Sequence, residues 1–159
     1  MFFMDTGLFE LIDLAIDLEL NIGKLYSLFS QKFPEDRSFW AQLEVEEYNH
    51  AALLKAAKNF VKVSKFPIEL IPDQSKLLKQ SITHVLESYE KFEKKADRFE
   101  ALSTAYDIEI SAGEMHYQQF MKSTKQDEIT NIFQQLNRAD YDHSKKILNY
   151  QTEINQYKQ

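Results

Sequence analysis

Apolar residues recur at steps of three and four positions along four stretches of the chain, which is the period of an amphipathic α-helix. In each stretch they form a seam, the line of positions that would face inward. The first seam contains Leu8, Ile12, Ala15, Glu19, Ile22, Tyr26 and Phe29. The other three seams run through residues 40–61, 102–120 and 133–154. We therefore predict four long helices packed as an antiparallel bundle.

The chain has few residues that break helices, with 3 Gly and 3 Pro in 159 residues. Helices are predicted over about 5–31, 36–63, 97–122 and 127–157, the second starting at Asp36 or Ser38. A Lys- and Glu-rich segment over about 75–92 is predicted to be a short crossover helix. The predicted fold is therefore all-α: one domain over 1–159, with two helical hairpins joined by a long crossover.

Composition and charge exclude several classes of function. The chain has no Cys, so it has neither disulfides nor thiolate metal sites nor a cysteine nucleophile. Its net charge of −6 disfavours binding to nucleic acid. No apolar run is long enough to span a membrane, and the first residues lack the basic start of a signal peptide. We expect a cytoplasmic protein.

Every seam carries a carboxylic acid near its middle. The four acids are Glu19, Glu47, Glu109 and Asp140. Burying a carboxylate on an apolar stripe is unfavourable unless another charge compensates it, and no Lys or Arg lies on any of the four seams. A pair of metal ions would supply the missing positive charge.

An internal repeat supports this interpretation. When the second helix is aligned with the last, Glu47 and His50 fall on Asp140 and His143, and when the first is aligned with the fourth, Glu19 falls on Glu109. An acid and a His three residues apart share one helical face. Four carboxylates and two imidazoles suit two divalent iron or manganese ions, with zinc as a substitute. The alternative is a plain bundle whose seam acids meet water, or a former metal site that no longer binds.

At these residues the sequence resembles the rubrerythrin branch of the ferritin-like family. The resemblance lies in the stretches AIDLELNIGKLYSLFS and FWAQLEVEEYNHAALL, and in their counterparts in the second half. The family pattern is Glu, Glu-x-x-His, Glu, Glu-x-x-His. Asp140 departs from it, since the family usually has Glu there. Ala112 stands where the family often has a further Glu, and the Cys-rich rubredoxin module of many members is absent.

The resemblance implies a carboxylate-bridged di-iron site, cycling between Fe2+ and Fe3+, that reduces hydrogen peroxide or dioxygen. The oxidant would be a small molecule, and the electrons would come from a separate donor protein. Tyr26 and Tyr117 fall where the family tends to place tyrosines near the metals, so they are expected to contact ligand carboxylates or bound peroxide.

Two other functions and two packing arrangements stay open at this point. The protein is either such an oxidoreductase, a ferritin-like protein that oxidises and handles Fe(II), or a non-enzymatic helical bundle with incidental metal. The first helix also has a second apolar stripe containing Leu11, Leu14, Leu18, Leu25 and Leu28. This stripe predicts a homodimer, unless the crossover helix covers it.

Overall fold

The computed structural model describes residues 6–59, 71–116 and 128–156, and these residues are almost entirely helical. The helices are α1 (Thr6–Lys32), α2 (Arg37–Lys58), α3 (Ile71–Lys94), α4 (Arg98–His116) and α5 (Glu128–Gln156). No strand occurs in the described ranges, so the predicted all-α class is confirmed. None of the helices in these ranges has the length and apolar character needed to cross a membrane.

Helices α1 and α2 form an antiparallel hairpin. Phe33 and a single turn of 3-10 helix at Pro34–Asp36 connect them, because Pro34 cannot continue α1 but fits the first position of a new helical turn. Near the open end of the hairpin, Nζ of Lys58 lies 2.5 Å from Oδ1 of Asp13. Near the connection, the rings of Tyr26 and Trp40 pack with their centroids 5.5 Å apart.

Helix α3 runs alongside α1 in the same direction and is longer than the predicted crossover helix. Lys79 contacts Glu10 near the start of α1 at 3.0 Å, and Phe92 packs edge-on against Phe29 near its end. Most of the second apolar stripe of α1 is buried within the single chain: Leu11, Leu18, Leu25 and Leu28 are inaccessible or nearly so, and Leu14 is partly buried. The crossover helix thus covers the stripe on which the homodimer was predicted, and the dimer stays a prediction.

Helices α4 and α5 form the second hairpin. The buried side chain of Asp36, from the first hairpin, contacts one residue in each of these two helices. Asp36 precedes α2, but its side chain makes no capping hydrogen bond. Instead its carboxylate accepts hydrogen bonds from Nε and Nη2 of Arg98, at 2.6 and 2.5 Å, and from the hydroxyl of Tyr150 at 2.7 Å. Because Asp36 and Arg98 meet, α2 and α4 begin at the same end of the molecule.

Candidate metal centre

The four seam acids all lie in the interior, as the seams predict. Glu19, Glu47, Glu109 and Asp140 are buried, and they come from α1, α2, α4 and α5 respectively. Glu47 follows Asp36 by as many residues as Glu109 follows Arg98, so the contact between Asp36 and Arg98 sets these two acids at the same depth. Each acid follows apolar core residues at helical spacing, which is why it faces inward.

Glu19, Glu47 and His50 form the first group of candidate ligands. One ligand atom from each lies within 4.8 Å of the others. Nδ1 of His50 is 3.5 Å from Oε2 of Glu19 and 3.4 Å from Oε2 of Glu47. All three residues belong to the first hairpin, and the Glu47–His50 pair shares one face of α2.

Glu47, Glu109 and His143 form the second group, which spans both hairpins. Nδ1 of His143 lies 2.7 Å from Oε1 of Glu47 and 3.6 Å from Oε1 of Glu109. The ring of His143 stacks on that of His50 with the centroids 5.4 Å apart. Glu47 belongs to both groups, so the two candidate metal positions are neighbours that share one carboxylate.

Seven buried polar atoms of these residues make no hydrogen bond of regular geometry, although some of them lie within ion-pair distance of one another. The unpaired buried atoms are Glu19 Oε2, both carboxylate oxygens of Glu47, His50 Nδ1, Glu109 Oε2, Asp140 Oδ2 and His143 Nδ1. Each of the six predicted ligands therefore contributes at least one such atom. Oxygen and imidazole nitrogen are the donors that divalent iron, manganese and zinc accept, so this set fits a metal centre.

Asp140 is buried beside the two groups but belongs to neither. Its side chain is one methylene shorter than that of the Glu that the family pattern has at this position. Burial raises the pKa of Asp140 well above its usual value, and the charges of Glu19, Glu109 and Glu47 raise it further. These neighbours place Asp140 in the same cluster of acids, and they favour the protonated form of its carboxyl group in the metal-free protein.

Burial and mutual contact also shift the other groups. Burial raises the pKa of Glu19 to about 7, with the charge of Glu47 adding to the effect and His50 opposing it. Burial lowers the pKa of His143, but contacts with Glu109 and Glu47 outweigh this and raise it to about 12. In the metal-free protein His143 therefore keeps its proton and partly offsets the carboxylates.

Tyr26 lies beside the second group, where its hydroxyl donates a hydrogen bond to Oε1 of Glu109. Burial and the charges of Glu109 and Glu47 raise the pKa of Tyr26 well above 10.0, so the phenol keeps its proton. Tyr117, the other tyrosine expected near the metals, lies outside the described residues.

Glu46 is a site residue that the sequence did not single out. Nε2 of His143 lies 2.6 Å from Oε2 of Glu46, so its N–H donates to this carboxylate, and Nδ1 is left facing Glu47 and Glu109. Nζ of Lys146 donates to the same carboxylate at 2.8 Å. Glu46 lies beside the seam of α2 rather than on it, and only the packing of α2 against α5 brings it to His143.

No protein-family model, curated protein or solved structure matches this chain. The resemblance to the rubrerythrin branch therefore rests on the ligand motif and its repeat.

Proposed function

We propose that this protein is a non-haem di-iron oxidoreductase that reduces hydrogen peroxide or dioxygen. The observation that carries the proposal is the set of buried, unpaired carboxylate and imidazole atoms from four helices. A stable fold does not keep such atoms without a partner unless they have another role. Two divalent cations would satisfy them, and four carboxylates would balance the charge of those cations.

Six residues would hold the ions. Glu19 and His50 would bind one ion, Glu109 and His143 the other, and Glu47 would bridge both because it belongs to both groups. Asp140 would complete the second position by a small movement of its shorter side chain. The donor set suits iron or manganese, and zinc as a substitute.

A pair of iron ions, when bound, would supply the two electrons needed to reduce peroxide. The protein's own residues would bind the ions, orient the ligands and limit access of water. Tyr26 would keep Glu109 in place through its hydrogen bond, and Glu46 would do the same for His143. His50, with 15% of its side chain exposed, marks the side on which a small oxidant would enter.

We also propose a ferritin-like topology for the bundle. Helices α2 and α4 begin at the same end, and the chain returns between them along α3. Such a crossover between two hairpins is typical of ferritin-like bundles. It also supports the resemblance to the rubrerythrin branch, whose electrons would here come from a separate donor protein.

Anaerobic protein loaded with Fe(II) tests the activity directly. On mixing with hydrogen peroxide in a stopped-flow spectrometer, we expect fast oxidation of about two Fe(II) per chain, seen as rising near-ultraviolet absorbance. Glu47→Gln removes the shared ligand and should abolish the fast phase, whereas Glu44→Gln, a neighbour outside both groups, should keep it. Loaded wild-type protein that reacts no faster than free Fe(II) would contradict the proposed activity.

A further inference from the structure

The internal repeat is broken at the residues that surround the two histidines. The alignment that places Glu47 and His50 on Asp140 and His143 places Glu46 on Ala139 and Leu53 on Lys146. The two halves therefore share the ligand residues, but only one half has a charged pair beside its histidine.

The charged pair of Glu46 and Lys146 fixes the orientation of His143. Its Nε2 donates to Glu46 at 2.6 Å, and Lys146 in turn donates to both oxygens of Glu46, at 2.9 and 2.8 Å. His143 is only 2% exposed. Glu109, its neighbour in the second group, is held by the hydroxyl of Tyr26. Two of the three ligands at this position are thus oriented before any metal arrives.

His50 has no equivalent support from α5. The residue at the matching position, Ala139, has no polar side-chain atom to accept a hydrogen bond from an imidazole. No hydrogen bond to a described residue holds Nε2 of His50, the atom that corresponds to the one Glu46 holds on His143, and 15% of the His50 side chain is exposed. A ligand whose orientation is not fixed loses more conformational freedom when it binds a metal, and partners that fix a histidine typically raise affinity by about 10- to 100-fold.

We propose that the two metal positions are inequivalent, and that the Glu47–Glu109–His143 position fills first. Glu46 is the positioning residue that creates the difference. The Glu19–Glu47–His50 position is the weaker one, which exchanges its ion with solvent. This inference rests on the proposed function, since it requires that the chain bind two ions.

Titration of the anaerobic metal-free protein with Co(II), followed by its visible absorption and by calorimetry, tests the order. Wild-type protein should take up Co(II) in two steps of different affinity. His50→Ala should keep the tight step and lose the weak one, whereas His143→Ala should keep only a weak step. Glu46→Gln should weaken the tight step by about 10- to 100-fold and leave the other unchanged. Glu44→Gln, also on α2, is the matched control and should change neither step.

Ala139→Glu provides the reciprocal test. It places on α5 the carboxylate that the second half lacks, and it should tighten the weak step by a similar factor. A loss of packing alone would not produce this gain. If Glu46→Gln does not fold, as judged by circular dichroism, the comparison of His50→Ala with His143→Ala decides the order.

Two results would overturn the inference while leaving the proposed function intact. One is wild-type protein that binds two Co(II) with equal affinity, or whose tight step survives in His143→Ala. The other is a folded Glu46→Gln protein whose tight step is unchanged. Wild-type protein that binds no Co(II) would instead overturn the proposed function itself.

Discussion

Asp140 is a buried acid in an unfavourable electrostatic environment in the metal-free protein. It is buried, its Oδ2 atom has no hydrogen-bond partner, and three other carboxylates raise its pKa. An unpaired buried charge destabilises a fold, so a group of this kind is retained where it serves another purpose. We propose that this purpose is to complete the second metal position.

Asp140→Asn should therefore stabilise the metal-free protein while weakening metal binding. Asn has nearly the same shape but no charge, so the free energy of unfolding at pH 7 should rise by about 1–3 kcal/mol. Because the pKa of Asp140 is higher in the folded than in the unfolded protein, its carboxyl group destabilises the fold at pH values above the unfolded pKa of 3.8. The stability gained by Asp140→Asn should therefore vanish as the pH falls toward 3.8. Urea unfolding at several pH values measures both effects.

Asp142→Asn is the matched control, because the Asp142 side chain is 69% exposed and lies on the same helix. It should leave the free energy of unfolding unchanged at every pH. A destabilised Asp140→Asn protein at pH 7, beside an unchanged Asp142→Asn protein, would show that the carboxylate of Asp140 is satisfied without a metal.

Residue patterns reveal buried acids and histidines on a seam, but not the residues that contact them from neighbouring helices. Glu19, Glu47, Glu109 and the two histidines could be predicted because an acid on an apolar stripe conflicts with its surroundings in the sequence itself. Glu46 could not, because an acid beside a seam is indistinguishable from any solvent-facing acid until α2 and α5 are packed. Its only signal is the contrast with Ala139 in the repeat.

At the scale of the elements, helical periodicity predicts where helices lie but not what their ends contact. The bounds of α1 follow the prediction closely, because its seam continues without a breaker up to Pro34. The sequence predicts that the second helix starts at Asp36 or Ser38, and α2 begins between them at Arg37. The carboxylate of Asp36 does not cap α2 but binds Arg98 and Tyr150. That contact joins residues far apart in the chain, which local sequence cannot indicate.

The ion pair of Asp36 and Arg98 should contribute to stability far more than the surface pairs. Arg98→Met leaves the buried carboxylate of Asp36 without its cation, and should lower the free energy of unfolding by about 2–4 kcal/mol. The value lies below that of a fully buried pair because the Arg98 side chain is 26% exposed. Urea unfolding of the metal-free protein measures it.

Lys79→Met is the control for this substitution. Lys79 also joins two helices by contacting Glu10, but both side chains are more than half exposed, so its loss should cost less than about 1 kcal/mol. An equal decrease in the free energy of unfolding in the two variants would mean that Arg98 does not stabilise the buried carboxylate of Asp36.

At the scale of the whole molecule, the fold places two similar hairpins around one polar centre. The repeat allowed this arrangement to be predicted, because equivalent acids in the two halves require equivalent depths. The sequence does not show what covers the second apolar stripe of α1, since an apolar face can be buried by another helix of the chain or by a second copy of the protein. The single chain, in which α3 packs along α1, already buries most of that stripe, and the homodimer remains a prediction for sedimentation measurements.

The metal content of the protein tests the central claim most directly. Protein purified without chelators and examined by elemental mass spectrometry should contain about two divalent transition-metal ions per chain, chiefly iron. The Glu47→Ala protein, which loses the ligand shared by both positions, should contain almost none. Wild-type protein without stoichiometric metal that also fails to bind added Fe(II), or Glu47→Ala protein with the same metal content as wild type, would contradict a dinuclear centre at these residues.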